Sequence, residues 1–364
     1  MEVEHIFSHE ALTEFCKAVF TQIGCSDKDA SLATEVLLAA DLRGIDSHGI
    51  ARLIGYVRLW ESKRINPTPN IQIVHETPST ALIDGDAGLG LVVAPFAMQV
   101  AIDKAEKVGS AWVMVRNSNH FGIAGYHAMM ALPHNMTGIA MTNASALVAP
   151  TFSDEKMLGT NPIAVAIPAG IEPPFVADFA TTTAANGKLE ILQRKGLDTP
   201  SGWVQDHEGK ESRDANILKK GGALLPLGSD REHSSHKGYA LGSIVDIFTG
   251  VFSGASYGPW APPFPAFVPM PENMPGKGLG HSFAAMRNDA FRPLKEHQEH
   301  MDHWIQRFRN AHPASGHEKV LIPGDPEREM EAYRTIHGIP LLPIIVQDLK
   351  FVAQQLNIFD HPFL

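Results

Sequence analysis

Between Ile71 and Phe179 the hydrophobic period of the chain changes from helical to strand-like, and the strand candidates succeed one another without a regular strand–helix alternation. Short β-type runs lie at Ile71–Val74 and Thr80–Ile83. A helical pattern from about Leu91 to Val108 then leads into the apolar run Ala111–Val115. Further runs follow at Gly138–Thr142, Ile163–Ile167 and Phe175–Phe179, with hairpin chemistry near Asp206-His207-Glu208-Gly209. Gly85, Gly88 and Gly90 have the wrong spacing for GxGxxG, so the Rossmann fingerprint is absent. The pattern predicts a mixed α/β chain in which helices cover a sheet. Helices flank it: Leu12, Phe15, Val19 and Ile23 recur at helical spacing, Ser26 with Asp29 forms a capping box, and Gly44 closes the helix lined by Ala33, Val36, Leu37 and Ala40. The Pro-dense stretch Pro259–Pro275 reads as loop, and helical patterns return from about Arg292.

A chain of 364 residues with 44% hydrophobic content is long enough for a large core and two domains. Its formal charge of -10 leaves no basic field for a polyphosphate backbone, so no nucleic-acid partner is expected. Cys16 and Cys25 make no CxxC pair, which excludes a disulfide framework or a zinc knuckle and suits a reducing compartment. Met1-Glu2-Val3-Glu4-His5 lacks the basic and apolar regions of a signal peptide. The longest apolar helical run, Tyr239–Val251, is interrupted by Asp246 and too short to span a bilayer. A cytoplasmic protein without a membrane partner is expected.

The stretch from Arg43 to Leu53 contains His48 and Arg52, four residues apart at an apparent helix start, with Tyr56 one turn further on. A neutral imidazole takes a proton near pH 7 and a guanidinium grips a carboxylate bidentately, so the trio suits proton transfer on a small organic acid. On spacing alone, surface residues with a capping histidine fit equally well. Asn117-Ser118-Asn119-His120-Phe121-Gly122 places a second histidine at a strand end, where flanking amide and hydroxyl groups would set its tautomer, although any single histidine in such a place more often caps a helix. Leu158-Gly159-Thr160-Asn161-Pro162 is a polar turn before a strand. Asp178–Thr183 runs from a strand end into hydroxyls, and His236-Lys237-Gly238-Tyr239 opens a helix where Lys237 would meet a phosphate. Each of these alone, like Gly324-Asp325-Pro326, reads first as ordinary turn or cap chemistry. Gly254-Ala255-Ser256-Tyr257-Gly258 matches GxSxG but follows a helical run, and so reads as a chance match. His297, His300 and His303 recur at helical spacing among Glu296, Gln298, Glu299 and Asp302, which favours a solvated face over a metal site.

Taken together and in order, the segments Arg43 to Leu53, Asn117 to Gly122, Gly159 to Pro162, Asp178 to Lys188, Leu224 to Tyr239 and Leu321 to Glu327 resemble the type-2 malate/L-lactate dehydrogenase family. That group includes ureidoglycolate, sulfolactate and diketogulonate oxidoreductases and a cyclic-imine reductase. The resemblance covers nearly the whole chain. It implies a non-Rossmann fold: a helical domain from both chain ends, 1–76 and 292–364, an NAD(P)-binding domain on a large mixed sheet, 77–291, and a homodimer. It implies His48 and His120 at the substrate, Arg52 on its carboxylate, and Ser47, Tyr56, Asn119, Thr160 and Asn161 around it. Asp178, Phe179, Ala180 and Lys237 match dinucleotide contacts, with Thr181, His236 and Gly238 beside them, and Gly324, Asp325 and Pro326 join the set; no metal is implied. In place of the family's glycine-rich turn this chain has Ser229–His236, where Arg231 or His236 would favour a 2′-phosphate and Asp230 or Glu232 would oppose one, so NAD against NADP stays open. The implied reaction passes a hydride between NAD(P) and a small 2-hydroxy acid, malate- or lactate-like, with His120 the first choice for acid/base and His48 bonding hydroxyl or carboxylate, an order open to exchange. The alternatives are an NAD(P)H-dependent reductase of imines derived from 2-oxo acids and, from another class, a serine hydrolase using Ser256.

Overall fold

The computed structural model describes residues 5–360, 362 and 363; Met1–Glu4, on which part of the reading of the N-terminus rests, lie outside the described residues. The chain opens with β1 (His5–Phe7), α1 (His9–Gln22), α2 (Asp27–Leu42) and α3 (Leu53–Glu61). It continues through β2 (Gln72–Glu76), β3 (Thr80–Asp84), α4 (Gly90–Val108), β4 (Ser110–Ser118), α5 (Ala124–Met129), β5 (Met136–Thr142), β6 (Ile163–Ile167) and β7 (Phe175–Phe179). Then come α6 (Asn186–Lys195), the short β8 (Val204–Gln205), β9 (Glu211–Ser212) and β10 (Ala223–Leu224), α7 (Ser235–Asp246) and β11 (Leu279–Arg287). The chain closes with α8 (Leu294–Arg309), α9 (Asp325–His337), β12 (Ile339–Leu341) and α10 (Pro343–Gln355).

Seven strands form one mixed sheet in the order β2-β3-β4-β11-β5-β6-β7. Only β3 and β4 run parallel, and α4 supplies the crossover that a parallel pair requires. Ala94, Ala97, Ala101 and Ala105 of α4 pack with Val113, Val115, Phe283 and Ala285, so small side chains bring the helix close to the sheet. The central strand β11 is absent from the sequence reading. Its register puts His281 and Ser282, both wholly buried, within the strand, and these two polar residues hide an otherwise apolar buried strand. β2, expected at Ile71–Val74, forms at Gln72–Glu76 as an edge strand whose residues are all exposed.

A second core joins the chain ends. Leu12, Phe15 and Phe20 of α1, Leu37 of α2, Leu53 and Tyr56 of α3, and Ile345, Leu349 and Val352 of α10 form one buried cluster, and β1 pairs with β12 beside it. The boundary expected at 76 falls behind a strand that pairs with β3, and so behind part of the sheet. Nor does α8 join the chain-end core. Its Asp302 carboxylate accepts the N–H groups of Gly170, Ile171 and Glu172 at 2.9 to 3.1 Å, and Trp304 packs edge-on against Phe175, which docks α8 on the β6–β7 hairpin.

The turn from α2 to α3 carries the first candidate site residues and is held from beneath by Asp41. This carboxyl is 1% exposed and accepts Ile50 N–H at 2.6 Å. Gly49 lies so close that a Cβ there would meet its carboxyl carbon at 2.2 Å, a contact only glycine permits. Burial lifts the Asp41 pKa from 3.8 to about 8, against the Ile50 N–H bond, which lowers it. A folded-state pKa above the unfolded one means that this group's stabilisation is complete below the unfolded pKa and is lost as pH rises through about 8. The slope has an upper bound of about 1.4 kcal/mol per pH unit. Asp41→Asn keeps an acceptor for Ile50 and removes the titration. Denaturant midpoints measured from about pH 5 to about pH 8 should show the variant gaining steadily on the wild type; a constant gap between the two would exclude this account.

Candidate active site

Asp46 and Ser47 form a turn and His48 and Gly49 a bend, Ile50–Arg52 make one 3-10 turn, and α3 begins only at Leu53. His48 therefore stands before the helix and not on its face, because Gly49 at φ -91 and ψ -143 interrupts helical geometry. The trio still converges. Arg52 Nε donates to Ser47 O at 2.5 Å, which folds the guanidinium back over the bend, and Ser47 Oγ lies 2.9 Å from His48 Nδ1. The His48 and His120 rings lie nearly parallel with centroids 5.7 Å apart. Tyr56 Oη is 2.6 Å from His120 Nδ1, and Gly122 N–H donates to the same nitrogen at 3.3 Å.

Two neutral imidazoles thus sit beside one permanent cation. Burial and then the charge of Arg52 lower the His48 pKa from 6.5 to about 4. His120 is held well below the usual histidine range by burial, by His48 and by Arg52. Burial raises the Tyr56 hydroxyl, which stays protonated as a donor. The arrangement can grip an anion with Arg52 and move a proton at an imidazole nitrogen.

The neighbours expected to set the His120 tautomer do other work. Asn117 Nδ2 donates to Asp84, Ser118 Oγ meets His281, and Asn119 Nδ2 donates to the carbonyls of Ala87 and Gly88. These bonds brace the loop, and Tyr56 and Gly122 hold the ring in their place. Asn161 is likewise a buried brace, with its amide bonded to Ala144 N–H and Gly242 O. Thr160 offers its carbonyl to Thr181 N–H at 3.0 Å. Two residues not singled out in the sequence complete the site. The Phe264 ring, from the Pro-dense loop, lies 4.9 Å from His120, 5.5 Å from Tyr56 and 6.0 Å from the Arg52 guanidinium carbon. Glu190 of α6 faces Arg52 at 3.4 Å. α6 approaches so closely that a Cβ on Gly187 would meet Ser47 Cβ at 2.5 Å. No local pattern marks Phe264 or Glu190, because both arrive from segments far along the chain.

The stretches expected to contact a dinucleotide meet near the end of β7. Asp178 and Phe179 are exposed there, and Asp178 Oδ2 accepts Gly125 N–H at 2.7 Å. Val176 N–H donates to Pro323 O at 3.0 Å, which brings Gly324, Asp325 and Pro326 alongside. Leu227 N–H donates to Thr181 O at 3.1 Å, and Gly238 packs against Leu227, which brings in His236 and Lys237 at the start of α7. Ala180 lies between these contacts. The Asp325 carboxylate is engaged by Arg309, Arg328 and Ile322 N–H and acts as an internal brace. In the charged loop, Arg231 pairs with His236 at 2.8 Å and His233 with Asp230 at 2.8 Å. A cavity of about 630 Å³ opens beside that loop, lined by Thr151, Gln205, Arg231 and His233, away from the His48–His120 pair.

The other constellations lack site geometry. Ser256 is wholly buried and its hydroxyl donates to Gly276 O at 2.9 Å, so it presents no nucleophile to a pocket. Among the described residues no group of three His, Cys, Asp or Glu is placed to hold a metal ion. Among them, too, no helix is long and apolar enough to cross a membrane.

Known proteins agree with this architecture. Residues 7–350 match the family described as malate/L-lactate dehydrogenase. The chain is 40% identical to a malate dehydrogenase from Pyrococcus abyssi over 350 residues, 96% of this chain and 94% of that one. It is 37% identical to an L-sulfolactate dehydrogenase from Methanocaldococcus jannaschii, covering 94% and 95% of the two chains. In structure it matches a malate dehydrogenase from Entamoeba histolytica with a TM-score of 0.91 at 33% identity, over 99% of each chain. Two thirds of a chain at such identity do not agree by chance, and here nearly all of it does: the chain belongs to the malate/L-lactate dehydrogenase family.

Proposed function

We propose that this chain is an NAD(P)-dependent dehydrogenase of a small 2-hydroxy acid, with Arg52 as carboxylate clamp and His120 as acid/base. The observation that carries the reading is the stacked His48–His120 pair, both rings neutral, beside Arg52. The names of the relatives, malate and sulfolactate dehydrogenases, support a hydroxy-acid substrate and a nicotinamide cofactor. Asp178, Phe179, Ala180 and Thr181, with His236, Lys237, Gly238 and the Gly324–Pro326 turn, would hold the dinucleotide. The Asp178 carboxylate, which already accepts Gly125 N–H through Oδ2, has its other oxygen for ribose hydroxyls, and Lys237 at a helix start suits a phosphate. When bound, the nicotinamide supplies the hydride acceptor. A helical body from both chain ends carries Arg52 and the sheet body carries His120. A homodimer in the cytoplasm is part of the same reading, which two free, buried cysteines support.

Arg52, fixed by Ser47 O through Nε, offers its terminal nitrogens to the acid group. His120 takes the hydroxyl proton at Nε2 in oxidation and returns it to the ketone oxygen in reduction. Tyr56 accommodates both ring tautomers. Its hydroxyl donates to Nδ1 at 2.6 Å in one setting; in the other, which frees Nε2 and gives up the Gly122 N–H bond, it turns to His120 O at 3.4 Å and receives Nδ1–H. His48, bonded to Ser47, is placed to hold the substrate hydroxyl or carboxylate.

The test is a spectrophotometric screen of both reduced nicotinamides against 2-oxo acids, with and without an added amine. Turnover of 2-oxo acids alone is expected; turnover only with the amine would select the imine reductase. Arg52→Gln should lower kcat/KM by about two orders of magnitude, about 3 kcal/mol, as for a lost charged hydrogen bond, and an unchanged value would remove the clamp. His120→Ala should lower kcat by about 10²- to 10⁴-fold, while His48→Ala acts mainly on KM; the opposite pattern exchanges their roles. In the oxidation direction kcat/KM depends on neutral imidazole. It should stay level down to about pH 6 and fall only below that, since both rings are held under the ordinary 6.5. A break at or above the ordinary value would contradict the desolvated pair.

A further inference from the structure

His281 sits on the central strand, with Val115 of β4 and Thr142 of β5 as its register partners. It is wholly buried, and a strand covered on both faces gains nothing from an imidazole unless both nitrogens are bonded. Both are: Nδ1 lies 2.7 Å from Thr142 Oγ1, and Nε2 lies 2.8 Å from Ser118 Oγ. The one hydroxyl hydrogen of Thr142 is directed at the carbonyls of Asn143 and Gly280, at 3.0 and 3.1 Å. Thr142 therefore receives Nδ1–H, and Nε2 receives the hydroxyl hydrogen of Ser118. A single neutral tautomer ties three adjacent strands. Ser118 ends β4 two residues before His120. On the far side of His120, the Phe121 ring stacks on His281 with centroids 4.8 Å apart and planes 16° apart.

We propose that His281 is the positioning residue for His120: one buried imidazole anchors the chain through Ser118 on one side of the acid/base and through Phe121 on the other. The proposal rests on the acid/base reading of His120 given above. Of the groups packed around this brace, His127 from α5 is bonded to Phe121 O at 2.8 Å, while His48, Arg52 and Tyr56 face His120 from the chain-end helices. Burial and the neighbouring His127 keep His281 neutral, with its pKa lowered to about 3, so the brace does not titrate where the enzyme works.

His281→Phe preserves a stacking ring and deletes both hydrogen bonds. The expected result is a kcat lower by about 100-fold, the cost of a misplaced catalytic group, with the KM for the nicotinamide cofactor unchanged. The acid limb of the kcat/KM profile should also move up toward the ordinary histidine value, because a loosened loop admits water to His120. His281→Asn, whose amide stands in for Nδ1–H, should recover part of kcat. A folded His281→Phe enzyme with wild-type kcat and pH profile overturns the proposal, even if its thermal midpoint has dropped. Should that variant fail to fold, Ser118→Ala decides: a fall in kcat of about tenfold at constant cofactor KM supports positioning, and an unchanged kcat overturns it. His120→Ala separates the two claims. If it retains wild-type turnover the acid/base reading fails; if it is inactive while His281→Phe is normal, only the positioning role fails.

Discussion

Partial shielding of His48, His120 and Arg52 from solvent, all three half-buried side by side, is the constraint on which the rest of the structure depends. A guanidinium next to two imidazoles in water would leave them with ordinary pKa values; enclosed, the same three groups become one fixed cation and two neutral rings. The enclosure is built from distant parts of the chain. Tyr56 closes it from α3, Phe264 from the Pro-dense loop and α6 from across the turn at Ser47. Each supplies a surface that a local segment cannot supply for itself, which is why the site has to sit where two packed bodies meet.

The division of labour follows from what each body does well. The chain-end helices share a large aliphatic and aromatic core and can hold the Arg52 turn rigidly through Asp41 and Gly49. The mixed sheet delivers its strand ends to loops, and β7 leaves Asp178 and Phe179 exposed at its end. Closing the two together puts Arg52 from one beside His120 from the other. α6 bridges them, since Glu190 reaches Arg52 while Leu189 on the same helix is buried in a small cluster with Val204 and Leu224.

Much of this was legible in the sequence where a local period carried it. β6 and β7 have the ends that alternation predicts, Ser26 caps α2 through Asp29 N–H with its hydroxyl on the Asp29 carboxylate, and α4 begins one residue from its expected start. What escaped is non-local. β11 was hidden because a polar pair interrupts its apolar run, whereas β2, expected at Ile71–Val74, forms at Gln72–Glu76 with only its far end misplaced. His48, Arg52, Tyr56 and His120 could be named from residue type, but not the partners of His120, since residues adjacent along a strand end point to different sides and the ring is held from another helix. Glu190 and Phe264 carry no signature beyond their residue types.

The place of β11 also governs how the molecule is made. The strand in the middle of the sheet lies behind the Pro-dense loop, more than a hundred residues after the two strands it separates, so β4 and β5 emerge during synthesis with their inner edges unsatisfied and nothing to fill the gap. These long-range pairings come late, and a chain stopped before residue 279 would present two sticky ribbons in place of an enzyme. Productive assembly is thus a matter of insertion, in which a late segment is received into a slot that the early ones must hold open.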